Sequence, residues 1–293
     1  MKKEGLHVKT IITTLAAVAA LTAAGIATEA SAQWKEGSSV RIATEGAYAP
    51  WNYTDSSGKL VGFELDLAVD LCARMKVKCE IVQQAWEGII PALQAGKYDA
   101  IMAGMSITDK RKKVITFSRS YAATPAVFVV KSDGPFAGMK AGVDAVTMEE
   151  LNAAEKAALA TVKKAFAGKI IGVQIATTHE NFLNEYIAGD VTVKTYDTQE
   201  NLDLDLQAGR VDAALAAMSY WKPLLEKEGG KGLEMVGPGF TGGPFGNGVG
   251  AGIRQQDQAL ADMFSQAINA AITDGTVSKL AIEHFGFDAS AKN

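Results

Sequence analysis

The sequence predicts an α/β protein built as two similar lobes, and three observations carry that expectation. The first is an internal echo: Leu93-Gln94-Ala95-Gly96-Lys97-Tyr98-Asp99-Ala100-Ile101-Met102-Ala103 returns as Leu206-Gln207-Ala208-Gly209-Arg210-Val211-Asp212-Ala213-Ala214-Leu215-Ala216. Each copy reads as a helix end closed by a glycine, which reaches the left-handed conformation without steric cost, followed by a short apolar strand. The second is the matching start of each half. Val40-Arg41-Ile42-Ala43-Thr44-Glu45 and Ile170-Ile171-Gly172-Val173-Gln174 are β-rich and run through a polar or small-residue loop into a helical stretch, and strands alternating with helices give parallel sheets. The third is Gly237 to Gly252, with eight glycines and two prolines in sixteen residues. It contains neither G-x-x-x-x-G-K-[ST] nor a strand followed by G-x-G-x-x-G, so a return crossover between lobes, ending in a strand, is favoured over a phosphate cradle.

Taken along the chain, the first segment stands outside the fold. Lys2, Lys3 and Lys9 precede the apolar run Ile11 to Ile26, and Ala30-Ser31-Ala32 follows, the order of a secretory signal cleaved after Ala32. The run is interrupted by Thr13, Thr14 and Thr22 and falls short of the roughly 20 apolar residues that span a bilayer. The expected organisation is a signal peptide at 1–32, a first lobe from 33–125 plus 240–293, and a second lobe from 126–239. Met148 to Ala167, rich in alanine and charge with no proline or glycine, predicts a surface helix on the second lobe.

Charge and cysteine content narrow the function classes. Three of the 29 basic and two of the 33 acidic residues fall in the leader, so the mature chain is mildly acidic with no basic stripe, which argues against a nucleic-acid partner. Cys72 and Cys79, the two cysteines, lie close together in an exported segment and read as a short-loop disulfide, with buried free thiols as the alternative. Once His7 leaves with the signal, His179 and His284 are too few to build a metal site, and neither a metal nor an organic cofactor is expected.

In open α/β sheets ligands collect beyond the carboxyl ends of the strands. The loops there are Glu45 to Trp51, Ala85 to Gly88, Ala103 to Arg111 and Gln174 to His179. Ser106, Thr108, Asp109 and Arg111 offer hydroxyls, helix-start amides and a guanidinium to a carboxylate; the plainer alternative is an arginine on a solvated helix face beside Asp109. Thr177-Thr178-His179-Glu180 has the spacing of a capping box, which is compatible with a carboxylate contact at the same helix start. Glu45, Tyr48, Trp51 and Trp86 combine a carboxylate with aromatic faces, a set suited to a guanidinium, the alternative being core aromatics and a surface acid.

The run Gly62-Phe63-Glu64-Leu65-Asp66-Leu67-Ala68 through Met75 resembles the signature of polar amino-acid binding proteins of ABC importers. Thr44 to Trp51, the Cys72/Cys79 pair, Gly96 to Ala100, Ser106 to Arg111 and Gly248 to Gly252 extend the likeness over essentially the whole mature chain. It is strongest to the lysine/arginine/ornithine-binding group and, within it, to the nopaline- and octopine-binding proteins. The resemblance implies a two-lobed type II periplasmic binding protein that closes on its ligand by hinge motion, with crossovers near Ala123 to Ala126 and Pro238 to Thr241 and a Cys72–Cys79 disulfide. It implies that Arg111, Ser106 and Thr178 hold the ligand carboxylate with backbone help around Ala103, Gly104 and Thr177, that Tyr48 and Trp86 sandwich the side chain, and that Glu45 meets its positive end. A monomer in the periplasm, delivering an amino acid or opine to an ABC permease in the inner membrane, follows from the same likeness.

One position departs from the amino-acid binders. Where they place an aspartate against the α-ammonium, this chain has Ala217, and the opine binders likewise lack an acid there while sharing the Gln174 and Thr177 to Glu180 neighbourhood. A free ammonium buried without a counter-charge is costly. An opine carries a secondary amine with an extra carboxyl-bearing arm, so the expected ligand is an N-substituted arginine derivative with Ser219, Gln174 and His179 near that arm; Asp197 or water is the alternative replacement for the missing acid. Two other functions stay open. A secreted dehydratase-like enzyme of the same fold could use Glu45 as general acid or base, although no G-x-S-x-G elbow or metal cluster supports it, and a ligand sensor would dock on a membrane receptor instead of a permease.

Overall fold

The computed structural model describes residues 34–292; the segment expected to be a signal peptide cleaved after Ala32 lies outside them. Two main sheets form. The five-stranded sheet runs Lys78–Gln83, Ser39–Thr44, Ala100–Ile101, Gly252–Ile253, Thr116–Phe117, and the six-stranded sheet runs Thr192–Tyr196, Ile170–Gln174, Ala213–Ala217, Ala126–Lys131, Leu233–Thr241, Ala145–Thr147. In each, the first three strands are parallel and the next is antiparallel.

The sequence echo is a structural echo with one register. Gly96 and Gly209 both adopt left-handed conformations, with φ of 74° and 68°. Ala100 then pairs with Ile42 as Ala213 pairs with Ile171. The repeated aspartate does the same task twice: Asp99 Oδ2 accepts from the Arg41 amide at 3.0 Å and Asp212 Oδ2 from the Ile170 amide at 2.8 Å, tying the echo to the opening strand of its own lobe. Gly172 is required by close packing, because a Cβ there would stand 2.1 Å from Leu202 Cδ1.

The first lobe's core forms where the apolar stripe of helix Phe63–Met75 (Phe63, Leu67, Leu71, Met75) meets Phe264, Ile268, Val277 and Phe285 from the C-terminal helices, the spacing of one helix face. The disulfide between Cys72 and Cys79 ties this helix to the adjacent strand, with a Cα–Cα distance of 6.1 Å. In the second lobe, Phe128, Phe166, Phe182 and Phe240 form the core. The helix expected from Met148 starts later, at Ala153, because Asn152 and Glu155 form a reciprocal capping box. It runs to Ala165 and buries only Ala158 and Val162, which makes it a surface helix.

The chain leaves the first lobe after Ala122, whose carbonyl accepts from the Val249 amide, and joins the second sheet at Ala126. Its return differs from the expected Pro238 to Thr241 crossover and the 239/240 boundary. The strand Leu233–Thr241 stays in the second sheet and ends paired to Thr147. Phe245 then packs on Phe182 with ring centroids 5.0 Å apart, so the chain returns only at Gly246 to Gly248. Gly237, Pro238 and Gly239 form an irregularity inside the strand, where the register shifts between Val236 and Phe240. Proline and glycine are tolerated at such a bulge, which is why a composition that reads as a linker lies within a strand.

Candidate ligand-binding site

A cavity lies between the lobes at the carboxyl ends of the parallel strands. Its walls bring together Glu45, Tyr48, Trp51, Trp86, Ala103, Gly104, Ser106 and Arg111 from the first lobe with Gln174, Thr177, Thr178 and His179 from the second. Of the residues that the family likeness and the opine expectation assign to the ligand, Ser219 is absent from this wall, as are Thr108, Asp109 and Asp197 among the further candidates. It is fully buried, its hydroxyl accepting from Trp51 Nε1 at 3.0 Å and lying 3.0 Å from Thr124 Oγ1. A covered hydroxyl with both neighbours engaged does not face a ligand arm, and the assignment of Ser219 to that arm is corrected accordingly. Trp51 borders the cavity, but its ring is 1% exposed and packs on Phe63 and Phe285. It belongs mainly to the core and, through Ser219, to the contact between lobes.

Arg111 is the single most informative side chain. Thr108 caps its short helix, its Oγ1 accepting from the Arg111 amide at 3.2 Å. The guanidinium donates to the Ser106 carbonyl at 3.0 Å and to the Ala176 carbonyl of the other lobe at 3.4 Å, and lies 5.2 Å from the Trp86 ring centre. Among the described residues it has no carboxylate partner, and burial pulls its pKa down to about 10. A buried cation held only by carbonyls and a π face is electrostatically incomplete, and a bidentate carboxylate is the anion its planar fork fits. Asp109, the alternative local partner, pairs with Lys112 instead, at 3.5 Å.

Thr177 caps the opposing helix start, its Oγ1 accepting from the Glu180 amide at 3.1 Å. Glu180 reaches back to the Ala176 amide, one residue before the cap, at 2.6 Å, so the predicted box closes with an offset of one. Ala176 sits at φ 59°, a conformation unusual for a non-glycine residue, and this turns its carbonyl toward Arg111. His179 is neutral, its pKa lowered to about 4 by burial and then by the charge of Arg111.

At the other end stands Glu45. It is 6% exposed, accepts from Gln174 Nε2 across the cleft at 2.6 Å, and has no cationic partner among the described residues. Burial pushes its carboxyl up to about 7, against the opposing effect of the Gln174 bond, and the negative charges of Glu200, Glu64 and Asp197 add to the rise. Tyr48, beside it, stacks on Tyr220 of the second lobe with ring centroids 4.6 Å apart.

Several residues of the site were not identified in the sequence. Thr124, Ala126, Gln199, Phe245 and Val249 complete the wall together with Ala217. Gln199 was discoverable, since it follows the strand Thr192–Tyr196 as Gln174 ends its own. Glu64 underlies the site: buried at 1% exposure, it accepts from the Gly104 amide at 2.7 Å, from Asn52 Nδ2 at 2.7 Å and from the Tyr121 hydroxyl, fixing the loop that carries Ser106. Among the described residues, no group of three metal-ligating side chains is placed to hold an ion.

The sequence pattern of the bacterial extracellular solute-binding proteins, family 3, matches residues 40–287, a span that holds both lobes and every residue of the cavity wall. The chain belongs to this family. The octopine-binding periplasmic protein of Rhizobium meliloti is 40% identical over 283 residues, covering 90% of this chain and 95% of that one. The L-arginine-binding protein of Pseudomonas aeruginosa is 35% identical over 257 residues, covering 87% and 90%. Among solved structures, a periplasmic His/Glu/Gln/Arg/opine family-binding protein from Silicibacter pomeroyi in complex with lysine superposes with a TM-score of 0.68 at 34% identity, covering 86% of this chain and 100% of the other.

Proposed function

We propose that this solute-binding protein captures an arginine-derived opine or a cationic amino acid between its lobes and delivers it to an ABC permease in the inner membrane. The observation that carries the reading is one cavity lined by a buried guanidinium, Arg111, without an anion and a buried carboxyl, Glu45, without a cation. A ligand with a carboxylate at one end and a positive nitrogen at the other completes both poles. Ser106, Thr178 and the amides near Gly104 and Thr177 assist at the anionic pole, and Tyr48 and Trp86 flank the chain between. Ala217 leaves the second lobe without an acid at its helix start, which favours an N-substituted amine over a free α-ammonium.

The named relatives are binding proteins and not enzymes, and the reading is of a monomer working by hinge closure in the periplasm after cleavage behind Ala32. One observation supports a second reading, catalysis by a dehydratase-like site: the Glu45 carboxyl near 7 suits proton transfer at neutral pH. Loss of prephenate or arogenate on incubation with the protein tests it. The primary test is a thermal-shift screen of residues 33–293 against arginine, lysine, ornithine, histidine, octopine and nopaline, since a ligand that binds only the folded form raises the melting temperature. Stabilisation by opines above all others is the expected result; stabilisation by free arginine or lysine alone removes the opine assignment, and silence across the panel overturns the ligand class.

A further inference from the structure

The wall around Glu45 holds a second acid that does not touch the cavity. Asp203 is 7% exposed and sits one helical turn after Gln199 on the helix Gln199–Gln207. Its Oδ1 accepts from Gln199 Nε2 at 3.0 Å and its Oδ2 from the Tyr220 hydroxyl. Both partners lead to the ligand: Gln199 lines the cavity, and Tyr220 stacks at 16° on Tyr48, which also lines it. Among the described residues, no cation lies within ion-pair distance of Asp203.

A carboxylate only accepts hydrogen bonds, so it fixes which end of the neighbouring amide it meets. With its nitrogen committed to Asp203, Gln199 carries its carbonyl oxygen on the other side, and that oxygen accepts no hydrogen bond among the described residues. Glu45 repeats the arrangement: the Gln174 nitrogen donates to Glu45 and to the Asp197 carbonyl at 3.1 Å, which leaves its carbonyl oxygen without a donor among the described residues. The same pole of the cavity therefore carries two acid-glutamine pairs.

We infer that Asp203 is a positioning residue for ligand charge: it locks the Gln199 carbonyl toward the ligand's cationic end and holds Tyr220 against Tyr48. The inference rests on the reading of a ligand with a positive end. Burial raises the Asp203 carboxyl to about 6, with the Tyr220 and Gln199 bonds opposing the rise, so the group is ionised at neutral pH.

Asp203→Asn tests it, because it removes the charge and leaves one acceptor oxygen where the carboxylate offers one each to Gln199 and Tyr220, so the Gln199 amide is no longer held in one orientation. The probes are arginine and octopine, each beside the counterpart in which a neutral urea replaces the guanidinium, titrated calorimetrically into the mature chain. The expected result is a loss of about tenfold or more for the guanidinium ligands, the scale of a charge-assisted hydrogen bond, with the urea counterparts changed by less than about threefold. Equal losses for both classes make Asp203 merely structural and overturn the assignment while leaving the proposed function standing. Wild-type protein that binds the urea forms as tightly as the guanidinium forms overturns both, whereas binding none of the four overturns the assignment and leaves the ligand class to the wider screen. Should the variant fail to fold, Gln199→Leu, a change confined to the cavity wall, carries the same expected differential, and an undiminished guanidinium preference in it overturns the assignment.

Discussion

The two ends of the cavity are built on opposite plans. At one end Arg111 is a fixed charge, held by two backbone carbonyls and a tryptophan face and unable to lose its proton under ordinary conditions. At the other, Glu45 is an adjustable charge, a carboxyl near 7 softened by a glutamine from the opposite lobe. A permanent cation suits capture of the carboxylate that every amino acid and opine shares, whereas an acid poised near neutrality responds to what distinguishes them, the charge at the far end. The difference assigns affinity mainly to the Arg111 end and discrimination mainly to the Glu45 end.

The sharpest way to break that division is Arg111→Met. Loss of the ligand's carboxylate partner is expected to cost at least about thirtyfold in affinity for any ligand of the screen, since truncating one member of a buried charged pair costs ~2–5 kcal/mol. The ligand-free variant is expected to melt no lower than the parent, because a buried charge without an anion is itself a burden. A lower melting temperature with binding intact reverses the reading of Arg111. Glu45→Gln comes next, with an expected loss of about tenfold for guanidinium ligands and little for their urea counterparts, read by calorimetry; equal losses place Glu45 in general architecture rather than discrimination.

A smaller effect is expected from pH. The folded Glu45 value of about 7 lies above its ordinary 4.5, so between those values the folded form keeps a proton that the unfolded chain has lost. The contribution of this group is therefore fully present below about 4.5 and is lost as pH rises through about 7, with a slope of at most about 1.4 kcal/mol per pH unit. Melting curves of ligand-free parent and Glu45→Gln across pH 5 to 8 are expected to differ in this slope, and parallel curves contradict it. A cationic ligand favours the ionised form, so its affinity rises over the same interval. The smallest effect belongs to Ser219→Ala, expected to change opine affinity by less than about threefold, as its hydroxyl meets Trp51 and Thr124 rather than ligand; a tenfold loss restricted to opines restores Ser219 to the ligand arm.

What the sequence disclosed depended on how narrowly each residue's geometry is constrained. Gly96 and Gly209 were readable because few residues take a left-handed helix end, and the aspartates that follow them recur because each meets a backbone amide. Arg111 and Glu45, singled out by the strand-end rule and the family likeness together, both line the cavity, and neither signal required tertiary detail. Pro238 and its flanking glycines misled because a bulge and a crossover draw on the same residues. Ser219 misled because its neighbours, Trp51 and Thr124, lie far away in sequence, and Glu64 was overlooked because an acid in the first turn of a helix is ordinarily explained by the helix dipole, which conceals its burial.

The late return at Gly246 to Gly248 bears on the order of assembly. The strand Gly252–Ile253 inserts between Ala100–Ile101 and Thr116–Phe117, in the interior of its sheet, and the helices after it supply Phe264 and Phe285 to the first lobe's aromatic core. The second lobe is one continuous stretch of chain, while the first waits for a segment synthesised last. Long-range pairing of this kind is slow to form, so a nascent chain stays without a completed first lobe until its C-terminal residues arrive.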